Sequence, residues 1–372
     1  MGKIFYAVSG EGRGHAARAR ALVEDLQADH SIVLYAPDHA FDLLEPAYRH
    51  SDVEVRPLPG LQFHYTQGQR LDYFETVYRS LGYLRGLPAL VRRLQDDIER
   101  ASPDLIISDF EPSLPRAAKR CGMPFLSLDH QHFLLTYDLS SLPLGLRAYA
   151  QGMGQVARAF YWGQMHSVVS SFYFPPLRRG VDHVTQIGVL MRPEIRYAQP
   201  ETGGHLVAYL RRFASPSTLR VLAECGVEVR IYGPGKRPDE GNLRFCEVDV
   251  QRFAEDLATC RGLVTTAGNQ LVGEALYLGK PVLAFPEPGN REQEINAHFL
   301  ARAGGIVTPF DQLETSHVRR LLDGARESIT SIDRQRLCGN DIALGVIHRY
   351  LAAASASTPA PAAPAEALPR SA

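Results

Sequence analysis

The 372-residue chain contains no run of about eighteen apolar residues, so no segment is expected to cross a bilayer as a helix. It also lacks a surplus of either charge. Lys and Arg number 40 against 41 Asp and Glu, a formal net charge of -1, which gives no basic field to recruit nucleic acid and leaves any anion site local. The cysteines, Cys121, Cys225, Cys246, Cys260 and Cys338, are odd in number and show no C-x-x-C spacing. Reduced, buried thiols are the expectation, as in a cytoplasmic protein. The opening MGKIFYAVSGEGRGH enters an apolar stretch at once, without the charged n-region and longer h-region of a signal peptide.

What is present is ample hydrophobic material, 45% of residues. At this length two domains are expected, because single cores stop growing near about 250–300 residues. Apolar runs at 3–9, 32–36, 53–58, 104–108, 125–128 and 168–174 alternate with helical patterns. The alternation restarts at 205–210, 227–232, 243–250, 262–265 and 281–285. That pattern predicts α/β architecture with two doubly wound parallel sheets, residues 1–185 and 186–330. Helices are expected at 314–328 and 332–351, the last (331–351) returning to the first domain. From residue 352 to 372 the composition collapses to Ala, Pro and Ser, which predicts a disordered tail.

The second half holds the most informative stretch. A buried strand at 262–265 runs into the small-residue turn Thr266-Ala267-Gly268 and then a helix from Asn269. The helix start offers unpaired N–H groups and a positive dipole end to an anion, and Gly268 lets a pyrophosphate come close. Glu274, about a turn and a half along, is placed to accept ribose hydroxyls. After the strand at 281–285 comes a Pro/Gly loop and a polar helix opening, Arg291-Glu292-Gln293-Glu294-Ile295-Asn296, where a sugar would sit.

In the first half, a glycine loop from Gly10 through Gly14 to His15 precedes a helix at 16–27. A dinucleotide fingerprint would need glycine where His15 stands, so NAD is disfavoured. Asp109 ends the strand at 104–108. It either lies near His15, orienting the ring, or caps the helix that starts near Pro112. In Asp129-His130-Gln131-His132 the two histidines have no third ligand in spacing, so they read as acceptor contacts or hydrogen-bonded polar residues rather than a metal site. Residues 61–97, including His64 and Tyr65, are aromatic and basic. They suit an acceptor cleft or a membrane-facing lip, or else an aromatic core with solvated arginines on a long helix.

These motifs carry a resemblance. Gly268 and Glu274 in G-x-x-x-x-x-E, L-G-K-P ending at Pro281, and Gln293 with Asn296 in Q-x-x-N-A resemble the donor signature of GT-B glycosyltransferases, nearest to the MurG-like, family 28 type branch. The resemblance implies two Rossmann-like domains facing a central cleft and a nucleotide-sugar donor, usually UDP-linked, UDP-GlcNAc among the candidates. It implies ribose contact for Glu274, donor contact for Gly14, Thr266, Gly268 and Asn269, and sugar contact for Gln293, Glu294 and Asn296. The base would lie against backbone near Val250. Gly188 to Arg192 resembles the family's G-x-x-x-R link, which implies donor phosphate for Arg192, a hinge salt bridge being the alternative. Where the MurG enzymes have two glutamines this chain has Gln293-Glu294, which leaves the sugar open. The glycine loop resembles G-x-G-G-H, whose histidine serves as base or acceptor contact.

The implied chemistry is transfer to an acceptor hydroxyl with His15 as general base. Imidazole's ordinary pKa of about 6.5 suits that task. No D-x-D ends a strand, so no metal or other cofactor is expected to be obligatory, the helix dipole and Arg192 taking that part. The retaining signature E-x7-E would need Glu at Thr266, so inversion is expected. The acceptor is open and could be lipid-linked or a cell-envelope glycan, with peripheral contact at the inner membrane face through the first domain. A non-hydrolysing UDP-sugar 2-epimerase and a non-catalytic nucleotide-sugar-binding protein are the alternatives.

Overall fold

In the computed structural model, which describes residues 1–10, 12–60, 73–160, 163–210, 215–323 and 333–357, the apolar runs become two wholly parallel sheets. The first contains β1 (Lys3–Val8), β2 (Ser31–Pro37), β3 (Glu54–Leu58), β4 (Leu105–Asp109), β5 (Phe125–Asp129), β6 (His166–Ser170) and β7 (Val184–Ile187), in the order β3-β2-β1-β4-β5-β6-β7. The second contains β8 (His205–Tyr209), β9 (Glu228–Tyr232), β10 (Leu243–Cys246), β11 (Leu263–Thr265), β12 (Val282–Ala284) and β13 (Ile306–Val307), in the order β10-β9-β8-β11-β12-β13. The central strands are buried throughout, as parallel strands covered on both faces must be.

Around the first sheet lie α1 (Gly12–Leu26), α2 (Asp38–Tyr48), α3 (Tyr73–Ala101), α4 (Ser113–Arg120), α5 (Phe133–Thr136) and α6 (Leu144–Phe160). Around the second lie α7 (Pro193–Arg196), α8 (Pro216–Ala223), α9 (Val250–Thr259), α10 (Asn269–Tyr277), α11 (Arg291–Arg302) and α12 (Thr315–Asp323), followed by α13 (Arg334–Leu337) and α14 (Asn340–Ser357). None of the helices among the described residues is long and apolar enough to cross a membrane.

Besides a shorter β10, which ends at Cys246 where a run to 250 was expected, and β13, which matches no expected run, the structure departs from the pattern reading in four places. The strand expected at 168–174 stops at Ser170, and β7 closes the first sheet, so the expected boundary at 185/186 falls inside a strand. Phe172 and Tyr173 are apolar because they are buried in a cluster shared with the second domain, not because they extend a strand. The second departure concerns the glycines: α1 already begins at Gly12, so Gly14 and His15 occupy its first turn rather than a loop. Burial of Ala16, Ala19, Leu22, Val23 and Leu26 on one face outweighs the cost of about 1 kcal/mol that each glycine imposes on a helix.

The third is the helix expected at 332–351, which is split at Cys338-Gly339, where the returning chain crosses the link between domains. A Cβ at Gly339 would lie 2.3 Å from the Gly188 carbonyl oxygen, and one at Gly188 would lie 2.2 Å from that of Leu337. Only glycines allow backbones so close. Asn340 pins the crossing, accepting from Met191 N (2.8 Å) and donating to the carbonyls of Ala21 and Met191 (3.0 Å each). Beyond it α14 lays Ala343, Val346, Ile347 and Leu351 on the core of the first sheet with Ile4 and Leu105. Fourth, α14 runs on to Ser357, so residues 352–357, expected in the tail, are helical; their alanines are strong helix formers. Residues 358–372 lie outside the described residues.

Candidate active site

In each sheet the strand order reverses between its first and fourth strands in sequence, β1 and β4 in one, β8 and β11 in the other. Connections there leave in opposite directions and open a crevice at the carboxyl ends. The first crevice receives His15 from α1 and Asp109 from the end of β4, which is in register with Val8. His15 Nδ1 lies 2.9 Å from Asp109 Oδ1, the two residues being 7% and 0% exposed. The other role open to Asp109, capping α4, is filled by Glu111. Its Oε1 accepts from Ser113 N (2.8 Å) and Ser113 Oγ (2.6 Å), and its Oε2 from Leu114 N (2.8 Å). Burial nonetheless pushes the Glu111 carboxyl above its ordinary range. Between the two acids Phe110 adopts φ 53°, the left-handed turn that points Asp109 into the crevice and Glu111 back to the helix.

A residue that the sequence reading missed completes this cluster. Arg18, 3% exposed, donates from Nε to Asp109 Oδ2 (2.8 Å) and from Nη2 to Oδ1 (2.7 Å), and the same Nη2 stands 2.7 Å from His15 Nδ1. Burial acts to lower the guanidinium pKa, but the Asp109 carboxylate prevails and holds it raised. The available signal was spacing: three residues after His15 on a helix places Arg18 on the same face.

In the second crevice, Thr266-Ala267-Gly268 leads into α10. Gly268 has an ordinary φ of -74°, so no backbone strain demands glycine, but nothing stands within 4 Å of where its Cβ would be. The missing side chain leaves open space at an uncapped helix start. Glu274, 1% exposed, accepts from Arg192 Nη2 (3.0 Å) on Oε2 and from Gln270 Nε2 (3.0 Å) on Oε1. The salt bridge of Arg192 is thus made to Glu274, and its guanidinium lies 5.6 Å from the Phe253 ring centroid. Gln270 Nε2 also donates to the Leu190 carbonyl (2.8 Å). Two buried atoms here have no hydrogen-bond partner, the donor Arg192 Nε and the acceptor Gln270 Oε1. Such orphans are rare in folded chains and mark places where a ligand can complete the bonding. Val250 opens α9, behind the cap Asp249, whose side chain accepts from Arg252 N (2.8 Å).

The two crevices face each other. A Cβ built on Gly14 would lie 3.9 Å from Gln270 Cβ, so the first turns of α1 and α10 meet across the domains. Beside them runs a polar seam. Asn269 accepts from Phe172 N and donates to the Ser170 carbonyl, both at 3.2 Å. Asn296 donates to the Ala267 carbonyl (3.0 Å), and its Oδ1 accepts from Tyr173 Oη (3.0 Å) and lies 3.2 Å from His130 Nε2. His130 Nδ1 lies 2.9 Å from the Ser170 carbonyl, and burial lowers this imidazole's pKa. Tyr173 stacks on Phe299 with centroids 4.1 Å apart. Asn269, Asn296 and His130 therefore hold the domains together in this arrangement.

Among the remaining expected residues, His132, Gln293 and Glu294 have local partners. His132 Nδ1 lies 2.7 Å from Asp129 Oδ2, which also accepts from Ser127 Oγ (2.8 Å); this is the hydrogen-bonded arrangement left open for that histidine. Burial would raise the Asp129 carboxyl, but His132 beside it holds it below its ordinary value. Gln293 accepts from Glu287 N (2.8 Å) and donates to its carboxylate (3.2 Å), tying down the loop before α11. Glu294 accepts from Arg291 (2.7 Å) at the surface. Thr266 is buried at the turn. His64 and Tyr65 lie outside the described residues.

A model of glycosyl transferase family 1 matches residues 2–324. The chain belongs to this family. An uncharacterized glycosyltransferase of Methanosarcina acetivorans is 26% identical over 330 residues, 81% of this chain and 82% of its own. The UDP-N-acetylglucosamine--N-acetylmuramyl-(pentapeptide) pyrophosphoryl-undecaprenol N-acetylglucosamine transferase of Corynebacterium jeikeium is 28% identical over 171 residues, 42% of this chain and 46% of its own. Likeness to the MurG-like branch is therefore partial. Among solved structures, Arabidopsis thaliana UGT89C1 complexed with UDP-L-rhamnose is similar at a TM-score of 0.68 and 13% identity, covering 94% of this chain and 99% of that one. The family 1 chain is a glycosyltransferase with the GT-B fold.

Proposed function

We propose that this glycosyltransferase moves a sugar from a UDP-sugar to an acceptor hydroxyl with inversion, using His15 as general base and no obligatory divalent ion. The observation that carries the reading is the approach of Gly14 to Gln270. It sets the His15–Asp109 pair opposite a helix start flanked by Glu274 and by an orphaned donor and acceptor. The free N–H groups and dipole of α10 suit a diphosphate. Arg192 Nε would meet a donor oxygen, while Gln270 Oε1 and Glu274 would accept ribose hydroxyls.

The acceptor oxygen attacks the anomeric carbon as its proton passes to His15. The bond from that carbon to the diphosphate breaks, its electron pair leaving with UDP. Asp109 offsets the charge on the imidazolium. One displacement inverts the centre. Support for UDP comes from the Corynebacterium relative, named for a UDP-sugar, and from UGT89C1, titled with another. Tyr78, Leu81 and Leu84, exposed along α3, support an acceptor with an apolar portion, a lipid-linked glycan at the inner membrane face among them.

Calorimetric titration with UDP-, dTDP- and GDP-sugars, followed by turnover assays with and without EDTA, tests this. UDP-sugars are expected to bind tightest and turnover to survive chelation. Failure of every UDP-sugar to bind, or a loss on chelation that Mg²⁺ or Mn²⁺ restores, contradicts it. UDP-GlcNAc incubated without acceptor is expected to stay unchanged; conversion to its 2-epimer would identify an epimerase.

A further inference from the structure

We infer that Arg20 on α1 and Glu194 on α7, with Asp25 and Arg196 beside them, are positioning residues. Their two salt bridges of opposite polarity fix the helix that carries His15 against the segment that carries Arg192. The inference rests on the roles given to His15 and Arg192 above and deepens that reading. Arg20 Nη2 donates to Glu194 Oε1 at 2.7 Å, the side chains being 19% and 15% exposed. Five residues further along α1, Asp25 Oδ2 accepts from Arg196 Nη1 at 3.0 Å, and Arg196 Nη2 donates to Asp341 Oδ1 of α14 at 2.6 Å. Burial acts to raise the Glu194 carboxyl, but its own backbone N–H, Arg20 and Arg192 hold it below its ordinary range.

Both ends of this link are stiff. His15 lies five residues before Arg20 on one helix, about 7.5 Å along its axis. Arg192 is the N-cap of α7, two residues before Glu194. α7 is itself fastened to the second domain: Ile195 is buried in a cluster with Val207 and Leu257, and Tyr277 at the end of α10 donates from Oη to the Arg196 carbonyl (3.2 Å). α10 is the helix whose start stands open for the diphosphate. The polarity also makes the register specific. On α1 the cation precedes the anion, and on α7 the anion precedes the cation. Sliding the helices until Arg20 met Arg196, or Asp25 met Glu194, would set like charges together.

The test is a double-variant cycle in the full chain, Arg20→Gln, Glu194→Gln and both, with Arg20→Lys as the conservative variant. Hydrogen exchange of the unliganded chain reads the domain contact at the Phe172 amide, which is bonded to Asn269 across the domains. The β1 amides report global stability in the same sample. In each single variant, exchange at Phe172 is expected to quicken by about 10-fold or more with β1 unchanged. The double variant should fall no further than either single, and Arg20→Lys should stay near wild type. In the same singles kcat should drop by about 10-fold or more, since a misplacement of about 1 Å can cost on the order of 100-fold. Donor affinity by calorimetry should stay within about twofold, because Arg192, Gln270 and Glu274 all belong to the second domain. Unchanged exchange at Phe172 in the folded single variants overturns the proposal. So does exchange that quickens equally in β1, a double variant that sums the two losses, or wild-type kcat despite quickened exchange. Should neither glutamine variant fold, Asp25→Asn breaks the other bridge and is held to the same criteria. A wild-type chain that transfers no sugar would sink the transferase reading, and the exchange measurement would still decide whether the bridges set the domains.

Discussion

His15→Ala is expected to lower turnover by about 10²–10⁴-fold, the usual contribution of a positioned general base, and to leave donor affinity unchanged. The asymmetry follows from placement. His15 belongs to the first crevice, where it touches Asp109 and Arg18, whereas the open helix start and the orphaned Arg192 and Gln270 atoms belong to the second. An interaction made only as the proton moves is lost from kcat and not from ground-state binding. Steady-state assays and calorimetric titration of the same preparation separate the two. A variant that loses affinity and turnover together would place His15 in donor binding instead.

Glu274→Gln is expected to do the reverse, weakening nucleotide binding by about 10- to 100-fold while leaving kcat at saturating donor close to wild type. A hydrogen bond to a charged group is worth roughly 1.5–3 kcal/mol. The amide keeps the shape that Gln270 and Arg192 pack against but loses one charge and one acceptor. Glu274→Ala is a harsher change. It leaves the Arg192 guanidinium, side chain 11% exposed, without its carboxylate, and breaking a buried pair from one side costs about 3–5 kcal/mol. A lowered melting temperature should therefore accompany its weaker binding, and Glu274→Gln should show the binding loss with far less of the thermal one. Equal falls in affinity and turnover in both the His15 and Glu274 variants would dissolve the division of labour between the halves.

Local pattern was enough to read both sheets except their edge strands β7 and β13, because parallel strands buried on two faces are written as unbroken apolar runs, and those runs carry the strand–helix alternation. It also anticipated that His15 and Asp109 would lie together at the carboxyl end of one sheet and that Glu274 would lie on the helix after the turn at Gly268. What escaped depends on contacts distant in sequence. Asn269 and Asn296 have the polarity of sugar-binding residues, yet in this arrangement their amides bond Phe172, Ser170, Tyr173 and Ala267. No spacing rule distinguishes an amide that meets a ligand from one that meets the other domain. Gly14 and Gly12 looked like a loop because local propensity disfavours them in helices, and the packing of α1 overrode that. Arg18 carried a helical-spacing signal, but its importance depends on Asp109, which is 91 positions away.

The account depends on one juxtaposition, the first turn of α1 against the first turn of α10, and a cysteine pair tests it directly. With Gly14→Cys and Gln270→Cys in one chain, the 3.9 Å between the Cβ built at Gly14 and that of Gln270 falls within the roughly 3.5–4.5 Å that a disulfide requires. Mild oxidation followed by peptide mass spectrometry should yield a crosslink joining positions 14 and 270, reversed by reductant. If both introduced thiols stay open to alkylation while the chain remains folded, the two halves do not face one another and the site described here does not exist.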